Sequence, residues 1–270
     1  MNHSRIIRIA TRCSPLILAL LLVACASIQG SGEDDVAALA ASPWASTSRL
    51  STNAAGWQHQ TFPGKRRSDY RPTRKDGRDA IMVRAESSVS MLRQRVHIEP
   101  SELGRLRFSW LVPALIARAD IARRDADDAP VRLVLAFEGD RRRFSAKDAA
   151  LSDLSEALTG EPLPYATLMY VWSNQHPGGS VVHNPRTSRI RKIVLESGAG
   201  RLGRWLDYER DVRADFLQAF GEPPGTLVAI GIMTDTDNTR SQAQAWYGAL
   251  QHLPRIAAST TAPATQVPTP

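Results

Sequence analysis

An acidic loop near the carboxyl end of the chain contains the residues whose types and spacing point most clearly to chemistry. It follows an apolar run at 227–233 and reads Thr-Asp-Thr-Asp-Asn-Thr at 234–239. Asp235 and Asp237 have the i, i+2 spacing that places both carboxylates on one side of an extended segment, and Asn238 adds a carbonyl oxygen. Calcium prefers such oxygen ligands, but the same residue types also cap backbone amides in turns. The loop therefore predicts a structural calcium site or a self-capped turn.

Carboxylates also matter for a second possible chemistry, the cleavage of glycosidic bonds. The candidates are Glu196, Asp207, Asp235 and Asp237, and a glycoside hydrolase or lyase would need two of them facing each other across a cleft. The chain contains no Gly-x-Ser-x-Gly elbow, no glycine-rich phosphate loop and no His-Glu-x-x-His motif. We therefore expect a non-catalytic protein and keep a carbohydrate-active enzyme as the alternative.

Aromatic and amide side chains near strand ends predict a ligand-binding surface. Planar rings stack on sugars, and the polar edges of tyrosine and tryptophan add hydrogen bonds. Of the aromatic residues, Tyr165, Trp172 and Trp205 are expected to be exposed. The predicted ligand-binding set is Tyr165, Trp172, Asn174, His176 and Trp205. A glycan or peptidoglycan is the ligand that this surface would suit.

The first 24 residues have the features of an export signal. Three arginines, Arg5, Arg8 and Arg12, precede an apolar segment at 15–24 that is too short to span a bilayer. Removal of residues 1–24 lowers the formal net charge from +7 to +4, because three arginines and no acidic residue are lost. This modest excess, together with export, argues against a nucleic-acid partner.

The end of the signal resembles a bacterial lipobox. It reads Leu-Val-Ala-Cys at 22–25, so we expect Cys25 to be lipidated and to anchor the protein to a membrane. Ala26 follows, where an aspartate would favour the inner membrane, so the outer membrane of a Gram-negative bacterium, facing the periplasm, is predicted. Cys13 leaves with the signal, and the mature chain then contains no disulfide. No pattern specifies an oligomeric state.

The elements that must position these residues are short strands. Apolar runs with strand-like alternation occur at 80–86, 106–112, 131–137, 168–172, 190–196, 205–208, 227–233 and 245–250. Helical spacing occurs at 145–158 and 208–220. This pattern predicts an all-β fold, a two-sheet jelly-roll-like β-sandwich with one or two short helical insertions. The predicted domain covers 54–256, after a flexible lipidated tether at 25–53 and before a disordered tail at 257–270.

Four segments resemble a known bacterial family. They are Phe-Pro-Gly-Lys at 62–65, Leu-Pro-Tyr-Ala-Thr-Leu-Met-Tyr-Val-Trp-Ser-Asn at 163–174, Ile-Val-Leu-Glu-Ser-Gly at 193–198, and the acidic loop with Trp-Tyr-Gly at 246–248. Together they are similar to the domain of unknown function 3047, over about residues 57–250. The family has no established activity, and its strand pattern is similar to galactose-binding jelly rolls, which implies sugar binding and a bracing calcium. The leading hypothesis is a non-catalytic envelope lipoprotein that binds a glycan, and a structural protein-interaction module is a further alternative.

Overall fold

A computed structural model describes residues 31–52 and 54–255 of the chain. Within these residues the strands, in chain order, are β1 (Trp57–Thr61), β2 (Asp69–Lys75), β3 (Arg78–Glu86), β4 (Ser90–Ile98), β5 (Arg105–Leu111), β6 (Ala129–Phe137), β7 (Ala166–Ser173), β8 (Val181–His183), β9 (Ile190–Ser197), β10 (Trp205–Asp211), β11 (Leu227–Asp235), β12 (Gln242–Tyr247) and β13 (Gln251–Leu253). The helices are α1 (Ser31–Ala40), α2 (Pro43–Thr47), α3 (Ala146–Thr159) and α4 (Val212–Phe220).

The strands form two sheets. A seven-stranded sheet has the order β1-β4-β11-β6-β7-β9-β8, and a six-stranded sheet has the order β10-β5-β12-β3-β2 with β13 also paired to β5. Neighbouring strands are antiparallel, except that β7 and β9 run parallel. The prediction of an all-β two-sheet sandwich is confirmed. Strands β11 and β12, which follow each other along the chain, belong to different sheets.

Helices α3 and α4 are the two predicted helical insertions. Ser145 caps α3 by accepting a hydrogen bond from the amide of Asp148, and Asp211 caps α4 in the same way. Both helices end at a glycine with positive φ, Gly160 at 75° and Gly221 at 70°, which terminates a helix at little cost. The first residues of the predicted second helix, 208–211, instead complete strand β10.

The core lies between the two sheets. Leu133, Leu135 and Phe137 of β6 face it, as do Phe108 and Trp110 of β5. The rings of Phe108 and Trp110 pack closely, with their centroids 5.4 Å apart. Because successive side chains of a strand point to opposite faces, the residues between these positions lie on the outer face of each sheet.

Part of the segment that was predicted as a flexible tether over 25–53 instead packs on the sandwich, at positions between 39 and 50. Leu39, Trp44 and Leu50 are all at most 2% exposed, and the rings of Trp44 and Trp57 lie 4.7 Å apart. Burial of each large apolar side chain contributes about 1.5–3 kcal/mol, which is enough to order a segment that is otherwise rich in alanine and serine. Cys25 and the predicted tail at 257–270 lie outside the described residues.

A long connection at 112–128 covers one half of the outer face of the seven-stranded sheet, and we call it the covering loop. Ile121 packs on this face in an apolar layer that also includes Val134, Val171 and Val194. The other half of the face, next to α3, is left open. No helix in the described part of the chain is long and apolar enough to span a membrane.

Candidate functional site

The outer face of the six-stranded sheet combines aromatic and charged side chains that remain accessible. Leu206 and Tyr208 of β10 pack into the core, so Trp205, Asp207 and Glu209 project from the opposite face. Trp205 is half-buried, and Asp207 and Glu209 are exposed. Of the residues that the sequence predicted as functional, Trp205 and Asp207 are thus brought together.

A second tryptophan lies on the same face. Trp205 is opposite Leu111 of β5, Leu111 is opposite Trp246 of β12, and Trp246 is opposite Met82 of β3. Directly opposed residues share a face, so these four side chains form a row across four strands. Two strand spacings separate the two tryptophans, a distance of about 10 Å.

Cations from the β2–β3 turn contact both tryptophan rings. The guanidinium of Arg78 lies 5.2 Å from the ring centroid of Trp205, and the ammonium of Lys75 lies 5.5 Å from that of Trp246. Trp205 Nε1 donates a hydrogen bond to the carbonyl of Lys75 at 3.3 Å. Arg78 also holds both carboxylate oxygens of Asp207, at 2.6 and 3.2 Å. The rings are therefore fixed from one side by cation–π contacts.

Next to this row the sheet opens into a cavity of about 590 Å³, which we call the outer-face cavity. It forms because the chain leaves β12 at Gly248, so that β3 and β5 are no longer bridged by a strand. A side chain at Gly248 would collide with Ser109, and would also touch the ring of Trp205. The lining includes Thr47, Arg78, Asp79, Arg107, Ser109, Asp207, Glu209, Gly248 and Gln251.

Charges around the cavity are arranged as ion pairs of both signs. Glu209 accepts hydrogen bonds from Arg107 at 2.5 Å and from Arg105 at 2.7 Å. The hydrogen bonds from Arg107 and then Arg105 hold the pKa of Glu209 below its ordinary value. The hydrogen bond that Arg78 donates to Asp207 raises the pKa of Arg78 above its ordinary value. At neutral pH the cavity thus presents alternating charged donors and acceptors.

Tyr165 and Trp172 are buried, contrary to the prediction that they are exposed ligand-binding residues. Trp172 is 1% exposed, and its Nε1 donates to the carbonyl of Gly198 at 3.0 Å. Tyr165 is 4% exposed, donates to Glu222 at 2.8 Å and lies under the guanidinium of Arg189, 4.0 Å from the ring centroid. Both rings belong to the core, because they alternate with outer-face residues in β7 and the segment before it.

Asn174 and His176 hold the covering loop and do not form a binding surface with the two rings. Asn174 Nδ2 donates to the carbonyls of Ile116 at 2.7 Å and Ala119 at 3.1 Å. His176 Nε2 lies 2.9 Å from a carboxylate oxygen of Asp120. These contacts join the end of β7 to a loop more than 50 residues away in sequence, so no local pattern could have revealed them.

Glu196 and Asp207 do not face each other across a cleft. Glu196 is buried and accepts hydrogen bonds from Tyr208 at 2.7 Å and Arg201 at 2.6 Å. Tyr208 points into the sandwich, whereas its neighbour Asp207 projects from the outer face, so the two carboxylates lie on opposite sides of β10. This arrangement does not provide the facing pair that a glycosidase requires.

Under the covering loop lies a buried group of charges. Arg132 of β6 and Lys192 of β9 are at most 2% exposed, and both bind the carboxylate of Asp127. Arg132 Nε also donates to Asp235 at 2.9 Å. Burial lowers the pKa of Lys192 to about 8, although Asp127 opposes this change. Burial raises the pKa of Asp235 to about 6, against the opposing charge of Arg132.

Three carboxylates of the acidic loop and the covering loop lie close enough to hold a metal ion. Oxygens of Asp128, Asp235 and Asp237 lie within 4.8 Å of one another. Protein donors already reach each of them: Asp128 accepts from the amides of Asn238 and Thr239, and Asp237 binds Lys65. Asn238 contributes as a donor, since its side-chain amide hydrogen-bonds Asp128 at 3.0 Å. The sequence did not identify Asp128, which comes from a distant loop.

Comparison with known proteins gives one family and several structural similarities. A family model described as "Protein of unknown function (DUF3047)" matches residues 55–251. No curated protein matches significantly. The chain is similar to the xyloglucanase domain of NopAA, a type three effector from Sinorhizobium fredii in complex with cellobiose, with 10% identity and a TM-score of 0.38 over 76% of this chain and 96% of that chain. It is also similar to the native endo-1,4-β-glucanase CelB2, with 10% identity and a TM-score of 0.33 over 77% and 90%.

Proposed function

We propose that this chain, which belongs to the DUF3047 family, is a non-catalytic glycan-binding protein of the cell envelope. The observation that carries the proposal is the outer-face cavity, where polar side chains of both signs converge beside Trp205. Sugars offer apolar ring faces for stacking and hydroxyl groups that both donate and accept hydrogen bonds. The cavity and the tryptophan row supply partners for both.

The charge of the cavity favours a neutral glycan over a polyanion. Arg78 and Arg107 line it together with Asp79, Asp207 and Glu209, so acidic groups are at least as numerous as basic ones. A nucleic acid or a highly sulfated polymer needs a basic surface that is not offset in this way. A hydroxyl-rich chain can instead bridge the paired arginines and carboxylates.

Two experiments test the proposal. The first is a calorimetric titration of the protein with cellohexaose and with the hexamer of N-acetylglucosamine. The second is a pull-down on peptidoglycan sacculi. We expect binding to at least one of them and a roughly tenfold loss with Trp205→Ala, because a stacked aromatic ring contributes about 1.5 kcal/mol. Arg142→Ala is the matched control, since Arg142 is 90% exposed and lies away from the cavity.

If the protein binds none of these three glycans, the proposal of glycan binding is refuted. Binding that is equal in wild type and Trp205→Ala would refute this site. Release of new reducing ends during the incubation would favour the alternative, a carbohydrate-active enzyme, over a non-catalytic protein.

The proposed location is the periplasmic face of a Gram-negative outer membrane, with lipidated Cys25 as the anchor. The support is the Leu-Val-Ala-Cys sequence at 22–25 behind a basic and apolar leader. Radiolabelled palmitate should label the full chain, and Cys25→Ser should abolish the label and release the protein into the soluble fraction. Labelling that persists in Cys25→Ser would contradict this anchor.

We also propose that calcium binds weakly at Asp128, Asp235 and Asp237. The ion would compete with Lys65, whose side chain is 46% exposed, so we expect a dissociation constant near the 10⁻⁴–10⁻³ M of weak extracellular sites. At a tenfold excess over this constant the melting temperature should rise by about 3–5 °C. Magnesium should have less effect, and Asp237→Asn should remove the rise. An unchanged melting temperature would leave protein donors as the groups that fix this loop.

A second candidate function, a protein-interaction module, is favoured by α3. Leu154 and Leu158 are 55% and 62% exposed, one turn apart on this helix. If this face bound the protein's physiological partner, Leu158→Ser would abolish capture of that partner and leave glycan titrations unchanged. If the protein acts only by binding a glycan, Leu158→Ser should change neither glycan binding nor the physiological activity of the protein.

A further inference from the structure

The half of the seven-stranded sheet that the covering loop leaves open contains an apolar groove, which we call the methionine groove. Its volume is about 250 Å³. Met91, Val134, Met169 and Met233 form its floor, from strands β4, β6, β7 and β11. Three of the five methionines of the chain thus line one depression. Methionine is flexible and polarisable, and it suits surfaces that accept apolar ligands.

The groove is open because α3 turns its polar side toward it. Ser155 and Thr159 line the groove and donate hydrogen bonds to the carbonyl of Glu161, whereas Leu154 and Leu158 are exposed to solvent. The loop of Pro162, Leu163 and Pro164 completes one wall. A helix with the usual orientation would have filled this space with leucine side chains.

One end of the groove is basic. There it continues into a cavity of about 230 Å³ that is lined by Arg93, Arg95 and Arg141 together with Glu138 and Glu161. Arg93 donates two hydrogen bonds to Glu161, each of 2.8 Å, and Arg95 binds the same carboxylate. Arg93 Nε is buried without a hydrogen-bond partner. Three guanidinium groups therefore face two carboxylates, which leaves a net positive charge at this end.

We propose that the methionine groove binds a single-chain anionic amphiphile, with its aliphatic chain on the methionine floor and its carboxylate or phosphate at Arg93 and Arg95. The floor crosses four adjacent strands, roughly 15 Å, which is long enough for a medium-length acyl chain. A sugar is a poor occupant of this groove, because few hydrogen-bonding side chains line the floor. The site is on the opposite face of the sandwich from the outer-face cavity, so it does not depend on the proposed glycan function.

Methyl-labelled methionine NMR with dodecanoate, below its critical micelle concentration, tests this proposal. We expect the methyl signals of Met91, Met169 and Met233 to shift on titration. Met82 lies on the outer face of the other sheet and is the internal control, so its signal should not move. Shifts of the three groove methionines alone support the site. No shift, or a shift of Met82 alone, overturns it.

Two variants test separately how the groove binds the aliphatic chain and how it binds the anionic head group. Ala229→Trp should fill the groove and weaken dodecanoate at least tenfold, with Ala229→Ser as its matched control. Arg95→Gln should weaken dodecanoate about fivefold and leave the uncharged dodecanol unchanged, with Arg142→Gln as control. Shortening the chain by two methylenes should weaken binding by about tenfold. Equal binding to Ala229→Trp and wild type would overturn the proposal, and the NMR shifts decide the case if that variant does not fold.

Discussion

The two sheets bury the same kind of residue on their inner faces but differ sharply on their outer faces. On the six-stranded sheet, Arg78 and Asp207 form an ion pair that solvent reaches, next to half-buried Trp205. On the seven-stranded sheet, Arg132 and Lys192 form their ion pairs under the covering loop, where both are at most 2% exposed. Charged residues at outward positions of a strand thus have opposite roles, depending on whether a loop covers them.

This difference separates structural charges from charges that can bind a ligand. A covered charge must keep its partner, because a buried charge without one is very unfavourable. An exposed ion pair contributes at most about 1 kcal/mol, so a ligand can replace one of its contacts at little cost. The outer-face cavity has the second property and the covered group has the first.

The largest expected effect is the loss of a covered charge. Arg132→Met leaves the buried carboxylates of Asp127 and Asp235 without their shared guanidinium and should lower the free energy of unfolding by about 3–5 kcal/mol. Arg107→Met, which removes an arginine that is 55% exposed on β5, is the matched control and should cost less than about 1 kcal/mol. Urea titrations of both variants measure the difference. Equal losses would mean that the covering loop does not distinguish the two faces.

The next effect is the pH dependence of stability, which has opposite signs for two carboxyl groups. Burial raises the pKa of Asp235 to about 6, so its contribution to stability is present below pH 4 and is lost as the pH rises through 6. The pKa of Asp148 falls to about 2, because hydrogen bonds from Ser188, Thr187 and Ser145 outweigh its burial. Its contribution is present above pH 4 and is lost as the pH falls through 2.

Urea titrations between pH 2 and 7 check both signs. Asp235→Asn should remove a fall in stability between pH 4 and 6 of at most about 3 kcal/mol. Asp148→Asn should remove a rise between pH 2 and 4 and leave the higher window unchanged. A fall that persists in Asp235→Asn would assign it to another group.

The smallest of these effects concerns the covering loop itself. Asn174→Ala removes the two hydrogen bonds to Ile116 and Ala119 and should cost about 1–2 kcal/mol. Limited proteolysis should then cleave within 112–128 sooner than in wild type. Gln242→Ala, on an exposed part of β12, is the control. Cleavage at an unchanged rate would show that other contacts hold the loop.

The sequence predicts most of the fold but only part of the site. Strands β5, β6 and β11 are recognisable as alternating or continuous apolar runs. Strands β2 and β13 are too polar to be recognised, because they are held in the sheet by the strands with which they pair. The packing of the segment around 39–50 was not predicted, because a composition rich in alanine and serine hides three widely spaced buried anchors. Trp44, the largest of them, is 1% exposed.

The alternation of side chains between the two faces of a strand could have distinguished the buried tryptophan from the accessible one. Trp172 shares its strand face with Leu168 and Tyr170, which indicates the core, whereas Trp205 shares its face with Asp207 and Glu209, which indicates solvent. The contacts of Asn174 and the approach of Asp128 to Asp235 join segments far apart in the chain. Such contacts depend on how the loops close over the sheet, and no local pattern specifies them.

The central claim, that the outer face of the six-stranded sheet binds the glycan, is tested most directly by methyl-labelled methionine NMR with the glycan that calorimetry identifies. Met82 is opposite Trp246 in the row that leads to Trp205, so its methyl signal should shift on titration. Met91, Met169 and Met233, on the other sheet, should not move. Shifts confined to those three signals, with Met82 unchanged, would contradict the claim and place the glycan in the methionine groove.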